Sequence, residues 1–188
     1  MGLLACGSVI RIEPISTSTP IPTVATQPTA STKSLSAGGV PMRIVAEAIS
    51  LDVPVVEMGW KLEGSGSEAI SVWNVPDNEA GWHLNSATPG QGSNVVISGH
   101  NNSLGGHVFG ELEALAVGDQ ITIQTAAGTD YRYQISETQI VRAFGASPET
   151  LNYLQSIMEP SPTEQLTVIT CWPSWSNTHR FVIIAHPL

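Results

Sequence analysis

The amino-acid sequence predicts a mainly β protein with one folded domain, and three observations lead to this prediction. Turn-forming residues are abundant, with 17 Gly and 13 Pro in 188 residues. Val, Ile and Thr occur in short runs, without the excess of Ala, Leu, Glu and Lys that is typical of helical bundles. A front segment rich in Pro, Ser and Thr leaves residues 42–188 to fold, which is a common size for one domain.

The charge distribution argues against a nucleic-acid partner. The formal net charge is −9, and few residues are charged at all. A protein that binds nucleic acid needs a basic surface that neutralises phosphates. We therefore expect no nucleic-acid binding. The fixed cations after Pro41 are Arg43, Lys61, Arg132, Arg142 and Arg180.

The N-terminal residues 1–13 contain a candidate lipidation site. Gly2 to Ser8 reads GLLACGS, which resembles the lipobox of bacterial lipoproteins, where the chain is cleaved before a cysteine that then receives lipid. This would make Cys6 a membrane anchor. A secretory signal needs an apolar core of about 7 to 15 residues, and only five residues precede Cys6. The alternative is therefore a signal remnant or a surface thiol.

Residues 14–41 are predicted to be a disordered linker. This stretch is rich in Pro, Ser and Thr, shows no apolar periodicity and cannot bury enough surface to offset the entropy of ordering. It would let an anchored domain reach distant substrates, or serve only as a tail. Because Cys6 lies ahead of this segment, we expect no disulfide between Cys6 and Cys171. No stretch reaches the roughly 18 apolar residues of a membrane span.

The first half of the folded region should begin with two short strands between Met42 and Trp60, where β-branched residues occur in runs broken by turn residues. Residues 73–77 and 81–84 contain aromatic residues without clear alternation and are predicted to be irregular. Residues 86–92 are turn-forming. Residues 94–99 form a compact apolar strand that ends at His100.

In the second half of the folded region, the spacing of apolar residues is typical of strands in some segments and of helices in others. A helix should begin at Pro148, with Ser147 as N-cap, and run to about Met158. The other predicted elements are a short helix at 108–115, a strand at 120–125, one or two strands at 131–142, a buried strand at 166–170 and a last strand at 181–185.

Three residues at strand ends form a candidate catalytic set. Cys171 follows one apolar strand, His100 follows another and Arg180 begins a third, and strand ends are where rigid scaffolds present reactive groups. A cysteine attacks as the thiolate, and a histidine with a pKa near 6.5 can hold or return its proton. An arginine offers a charged, forked donor set to an oxyanion. We therefore predict acyl transfer, with Cys171 as nucleophile.

The connection between Cys171 and Arg180 can form a hairpin that brings these two residues onto adjacent strands. Its Trp172 and Trp175 could wall a substrate groove, or they could simply pack. Candidate substrate-binding residues are therefore Thr170, Trp172, Trp175 and His179, and Thr170 could also help to stabilise the oxyanion.

Other interpretations of these residues remain open. Cysteine is often a small buried hydrophobic residue. His107 and His179 are rivals of His100 as the proton partner, whereas His83 and His186 are predicted to be surface or packing residues. The histidines show neither HExxH nor paired Cys/His spacing, so we expect no metal site and no other cofactor.

These motifs together resemble the sortase family. LTVITC, followed nine residues after its Cys by Arg180, resembles the family's TLxTC strand and downstream arginine, although Val168 and Ile169 depart from the motif. NVVISGHNN resembles the strand that leads to the family's catalytic His. The resemblance covers about residues 42–188, and the WNVP and GWHLNS segments look closest to the D, E and F types.

The resemblance implies a closed eight-stranded β-barrel with one or two short helices, acting without a metal. It also implies cleavage of an LPxTG-like motif between Thr and Gly through a thioacyl enzyme, which an amine then resolves. The partners would be secreted proteins with that signal and an amine acceptor, either a peptidoglycan precursor or a pilin lysine. We expect a monomer that is tethered to the membrane through its N-terminus, outside the cytoplasm.

Two other functions remain open. A cysteine peptidase or an L,D-transpeptidase also uses a thiol and a His, but the SxGCxR cluster of the second family is absent from the sequence. The other is a lipid-anchored barrel that has lost activity and only binds peptides. Transfer to an added amine would distinguish a sortase from a cysteine peptidase, which only hydrolyses. Failure of a peptide probe to label Cys171 would favour the inactive peptide-binding barrel.

Overall fold

The structure is a computed structural model that describes residues 39–64, 70–101 and 106–188. The predicted lipobox with Cys6, and all of the predicted linker except Gly39 to Pro41, lie outside the described residues. Within the described residues, no helix is both long and apolar enough to cross a membrane.

The described chain contains ten strands and one α-helix, α1. Two 3-10 turns cover Glu47–Ile49 and Leu112–Ala114, and α1 is Pro148–Ser156. The strands are β1 Pro41–Ala46, β2 Leu51–Met58, β3 Trp60–Glu63, β4 Ile70–Trp73, β5 Ala80–His83, β6 Asn94–Ser98, β7 Gln120–Thr125, β8 Asp130–Arg142, β9 Gln165–Trp172 and β10 His179–Pro187.

Eight of these strands form a closed barrel in the order β1-β2-β5-β6-β9-β10-β8-β7, and β1 pairs with β7 to close it. The β2–β5 and β6–β9 pairs are parallel, and the other pairs are antiparallel. The remaining strands, β3 and β4, form a separate two-stranded sheet. The predicted mainly β, eight-stranded barrel is therefore confirmed.

The barrel interior is filled by alternate residues of each strand, because successive side chains in a strand point to opposite faces. Ile121 and Ile123 of β7 point inward and are fully buried. Strands β6, β9 and β10 are largely buried on both faces, and α1 packs against part of their outer face. This outer cluster consists of Val96, Leu154, Ile169, Val182 and Ile184.

Helix α1 begins as the sequence predicts. The Ser147 side chain accepts a hydrogen bond from the Thr150 amide at 3.3 Å, and Pro148 occupies the first turn, where its missing N–H has no cost. The helix ends at Ser156, two residues before the predicted end. Leu154 packs its buried side chain onto the outer face of the barrel.

Two sequence predictions about local structure are wrong. Residues 81–84 were predicted to be irregular, but Gly81 to His83 belong to β5, a barrel strand, and Trp73 ends β4. All four residues of β5 are buried, so the strand shows no alternation by which the sequence could reveal it. The helix predicted at 108–115 is instead a set of turns that includes the 3-10 turn.

Candidate functional site

The three predicted catalytic residues lie on the outer face of three neighbouring strands. On β6, Val95 and Ile97 point into the core and Val96 points outward. The same alternation, continued past the end of β6, places His100 on the outer side. On β9 it places Cys171 outward with Ile169, and on β10 it places Arg180 outward with Val182.

The strand register puts His100 beside Cys171. Each paired residue of β9 lies 71 positions after its partner in β6, from Asn94 with Gln165 to Ser98 with Ile169, and His100 and Cys171 are also 71 positions apart. The Gly99 amide continues the ladder by donating to the Ile169 carbonyl at 3.2 Å. Adjacent strands are separated by about 4.8 Å, so the two side chains are neighbours across the sheet.

Arg180 lies on the other side of Cys171, because these two residues are directly paired in the antiparallel β9–β10 ladder. Its Nη1 donates to the carbonyls of Asn177 and His179, at 2.9 Å each, which fixes the guanidinium plane. Burial lowers the pKa of Arg180 to about 10. The side chain therefore remains a cation at neutral pH, and the order across the sheet is His, Cys, Arg.

Phe109 contacts the segment that follows β6 at Gly99 and at His100. The Phe109 amide donates to the His100 carbonyl at 2.7 Å. A Cβ on Gly99 would lie 2.6 Å from the Phe109 ring, so this position has no room for a side chain. The Phe109 ring is thus closely packed on Gly99, the residue between the end of β6 and His100.

His100 also lies near a carboxylate that the sequence did not indicate. Its Nε2 is 3.9 Å from Asp77 Oδ1, and the two side chains are 12% and 77% exposed, respectively. Asp77 belongs to the loop between β4 and β5. An ion pair of this length with an exposed partner contributes little, about 0 to 1 kcal/mol.

The predicted substrate-binding residues are distributed over different surfaces. Thr170 is buried, and its Oγ1 donates to the Gly99 carbonyl at 2.8 Å. Trp172 packs against the barrel core, and its Nε1 donates to Glu113 Oε2 at 2.5 Å. His179 meets the Trp172 ring edge-on, with centroids 5.7 Å apart. Trp175 is 85% exposed. The structure therefore does not gather these four side chains around Cys171.

The other histidines differ in their surroundings. His83 is buried, with its Nε2 2.7 Å from Ser98 Oγ, so it is a packing residue and not a surface one. His186 is exposed. His107 has a positive φ of 51°, and its ring lies against Gly110.

Cys171 is 2% exposed, and contrary to the expectation of no disulfide its sulfur is disulfide-bonded in this structure. Cys6 lies outside the described residues. A disulfide sulfur cannot attack a carbonyl carbon, so nucleophilic chemistry at Cys171 requires reduction first.

A comparison with protein-family models identifies the domain. The model of the sortase domain matches residues 44–188, which include the His, Cys and Arg positions described above. The chain belongs to the sortase family. Sortases are cysteine transpeptidases associated with the cell envelope. A search of curated protein sequences finds no match.

Solved sortase structures share the fold of this sortase. A lid mutant of sortase A from Corynebacterium diphtheriae is 25% identical, with a TM-score of 0.60 over 81% of this chain and 72% of that chain. The Clostridium perfringens sortase D5 transpeptidase is 23% identical, with a TM-score of 0.57 over 81% of each chain. Sortase C1 from Streptococcus agalactiae, in complex with MTSET, is 20% identical, with a TM-score of 0.58 over 78% of this chain and 66% of that chain.

These neighbours include A, C and D types, so they do not assign this sortase to one subclass. Two residues of this region were not indicated by the sequence, Asp77 and Asn101. The Asn101 Nδ2 donates a hydrogen bond to the Cys171 carbonyl of β9. Asn101 is visible in the GHNN motif, but this contact depends on strand register, which one sequence does not reveal.

Proposed function

We propose that this sortase cleaves an LPxTG-like sorting signal and transfers the acyl fragment to an amine, with His100, Cys171 and Arg180 as catalytic residues. The observation that supports this proposal is the strand register, which pairs Cys171 with Arg180 and, continued two residues past the end of β6, aligns His100 with Cys171.

The first half-reaction forms a thioester. The reduced Cys171 thiolate attacks the carbonyl carbon of the scissile amide, and the carbonyl oxygen becomes an oxyanion. Arg180 lies next to Cys171 and stabilises this charge, because its buried guanidinium is fixed and positively charged at neutral pH. The C–N bond then breaks, and His100 gives a proton to the departing amine.

The second half-reaction reverses these roles. An acceptor amine attacks the thioester carbonyl, His100 takes the proton from the attacking nitrogen, and the Cys171 sulfur leaves as thiolate. The Cys171 thiolate and the protonated His100 are thereby regenerated, and a new amide is formed. No metal takes part in either step of this proposal.

Substrate binding and anchoring complete the proposal. Trp175 is the most exposed of the four predicted substrate-binding residues and is proposed to contact the bound peptide. The substrate roles of Thr170, Trp172 and His179 stay predictions. Residues 14–41 are proposed to link residues 42–188, the catalytic domain, to an N-terminal anchor at Cys6. Assignment to the D, E or F subclass, and a monomeric state, remain predictions.

The test is a peptide cleavage assay under reducing conditions. Wild-type protein is incubated with a library of LPxTG-like peptides, with and without triglycine as the acceptor amine. We expect cleavage, and a transfer product when triglycine is present. The Cys171→Ala variant should lose at least roughly 1000-fold in kcat/KM, as other nucleophile deletions do, and keep its melting temperature. Without reductant, the disulfide-bonded protein should be inactive.

Cys6→Ala is the matched control, because it removes the other cysteine of the sequence, and its activity on soluble peptides should equal that of wild type. Cleavage by Cys171→Ala at the wild-type rate would refute the proposal. Hydrolysis with every amine tested would indicate a cysteine peptidase, and binding without any cleavage would indicate a peptide-binding barrel.

A further inference from the structure

Asn101, the residue after His100, makes a direct contact with Cys171 on the neighbouring strand β9. Asn101 is 5% exposed, and its Nδ2 donates a hydrogen bond to the main-chain carbonyl of Cys171. We propose that Asn101 is a positioning residue, whose carboxamide extends the β6–β9 ladder past the end of β6 and so fixes His100 relative to Cys171. This inference rests on the proposed function and identifies a further determinant of the same site.

The parallel ladder shows why a donor is needed at this point. In a parallel pair, the N–H groups that point to one neighbour come from every second residue. The Gly99 amide donates to the Ile169 carbonyl, so the next contact along the ladder would join residue 101 to the Cys171 carbonyl. Strand β6 has already ended at Ser98, and the Asn101 side chain supplies this donor.

The chemistry of the side chain fixes its orientation. A main-chain carbonyl only accepts hydrogen bonds, so the NH2 group of Asn101 must face Cys171 and the Oδ1 must point away. This Oδ1 is buried, and it has no hydrogen-bond partner among the described residues. Leaving a buried acceptor unpaired is unfavourable. An apolar residue here would avoid this cost but would also remove the donor to the Cys171 carbonyl, so the bond to Cys171 is the feature that this asparagine provides.

Neighbouring bonds confine the rest of this segment but do not reach Cys171 itself. Thr170 Oγ1 donates to the Gly99 carbonyl at 2.8 Å, and the Phe109 amide donates to the His100 carbonyl at 2.7 Å. The Asn101 bond is the contact that joins the histidine segment to the main chain of the cysteine. Without it, the contacts that hold this segment among the described residues are those at Gly99 and at the His100 carbonyl.

Asn94 provides a matched control on the same strand. It is also a buried asparagine, 1% exposed, but it lies at the opposite end of β6. Its Nδ2 donates to the carbonyls of Ile157 and Glu159, at 2.9 and 3.0 Å. Substituting Asn94 removes a comparable buried amide from β6 without touching the His100 end.

The experiment compares Asn101→Ala and Asn101→Asp with Asn94→Ala and Asn94→Asp, all in a Cys6→Ser chain in which Cys171 is the only thiol. Two quantities are measured under reducing conditions. The first is kcat and KM for the peptide, expressed per folded molecule from circular dichroism. The second is the rate of Cys171 alkylation by iodoacetamide as a function of pH, after the reductant is removed, which needs no peptide substrate.

For both Asn101 variants we expect kcat to fall roughly 10- to 100-fold, the range produced by a misplacement of about 1 Å, with KM changed less than about 3-fold. The pH midpoint of alkylation should also move, since the influence of His100 on the thiol depends on their separation. The Asn94 variants should match the parent chain in both measurements.

Equal effects of Asn101 and Asn94 substitutions would overturn the inference. So would failure of both Asn101 variants to fold under conditions in which both Asn94 variants fold, because Asn101 would then have a purely structural role. If the parent chain does not cleave any peptide, the proposed function fails, and the alkylation profiles still test the placement of His100 against Cys171.

Discussion

Burial determines the protonation of His83. This residue is buried between β4 and β6, with its ring 4.1 Å from the Trp73 ring and its Nε2 2.7 Å from Ser98 Oγ. Burial lowers the pKa of His83 to about 3. His83 is therefore neutral at every pH at which the enzyme would work, and it acts as a packing residue near the strand that leads to His100.

This shift of the His83 pKa predicts how stability depends on pH. Between pH 6.5 and pH 3 the unfolded chain holds a proton on His83 and the folded chain does not, so unfolding takes up a proton and stability falls as pH falls. The His83 contribution to this slope is at most about 1.4 kcal/mol per pH unit. Urea unfolding at pH 7.5, 6, 5 and 4 measures it.

In the His83→Gln variant the loss of unfolding free energy on acidification should be smaller than in wild type. His186→Gln is the control, because His186 is exposed and should titrate alike in both states. Parallel pH profiles for wild type and His83→Gln would contradict this account of His83.

At the scale of elements, Glu164 joins the turn before β6 to the barrel. Its carboxylate accepts hydrogen bonds from the Gly90 and Gly92 amides, at 2.9 and 3.0 Å, and from the Tyr133 hydroxyl at 2.8 Å. Tyr133 is fully buried in β8. The Glu164 side chain thus connects the turn and β8 to the start of β9. This end of β9 lies about 20 Å from Cys171.

Removing this connection should lower stability and leave the chemistry unchanged. In Glu164→Gln an NH2 group replaces one of the two carboxylate oxygens, so a group that donates faces a group that also donates. We therefore expect a loss of about 1 to 3 kcal/mol in the free energy of unfolding. Glu137→Gln, at an exposed position of β8, should change stability by less than about 0.5 kcal/mol. Equal stability of the two variants, or a lower kcat per folded Glu164→Gln molecule, would disprove this role.

Elements with a clear local pattern could be predicted from the sequence, and others could not. Strand β7 was predicted with its observed bounds because Ile121 and Ile123 alternate with polar residues, and α1 was predicted from its Ser147 cap. The β5 strand was missed, because it is short and buried on both faces and owes its pairing to β2, which is distant in sequence. Nonlocal pairing leaves no local periodicity to detect.

For the whole molecule, barrel assembly determines which features of the site could be predicted from the sequence and which could not. The positions of Cys171, His100 and Arg180 at strand ends were predicted, and so was the β9–β10 hairpin. Their common outer face and their order follow from the parallel β6–β9 register, which brings together segments 71 residues apart. The contact between Asn101 and Cys171 depends on the same register, so it became visible only in the assembled barrel.

The closed barrel also places the site on a rigid wall. Because β6, β9 and β10 each pair on both sides within the barrel, the main chain that carries Cys171 and Arg180 is fixed before a substrate arrives. This agrees with a reaction in which positioning and charge stabilisation supply most of the catalysis.

The most direct test of the central claim is intact-protein mass spectrometry of the reduced chain after incubation with a cleavable LPxTG-like peptide and no acceptor amine. We predict a covalent adduct with the mass of the N-terminal peptide fragment, located on Cys171 and discharged when triglycine is added. The adduct should be absent from Cys171→Ala. Peptide cleavage that proceeds with no adduct, or an adduct that persists in Cys171→Ala, would contradict the account.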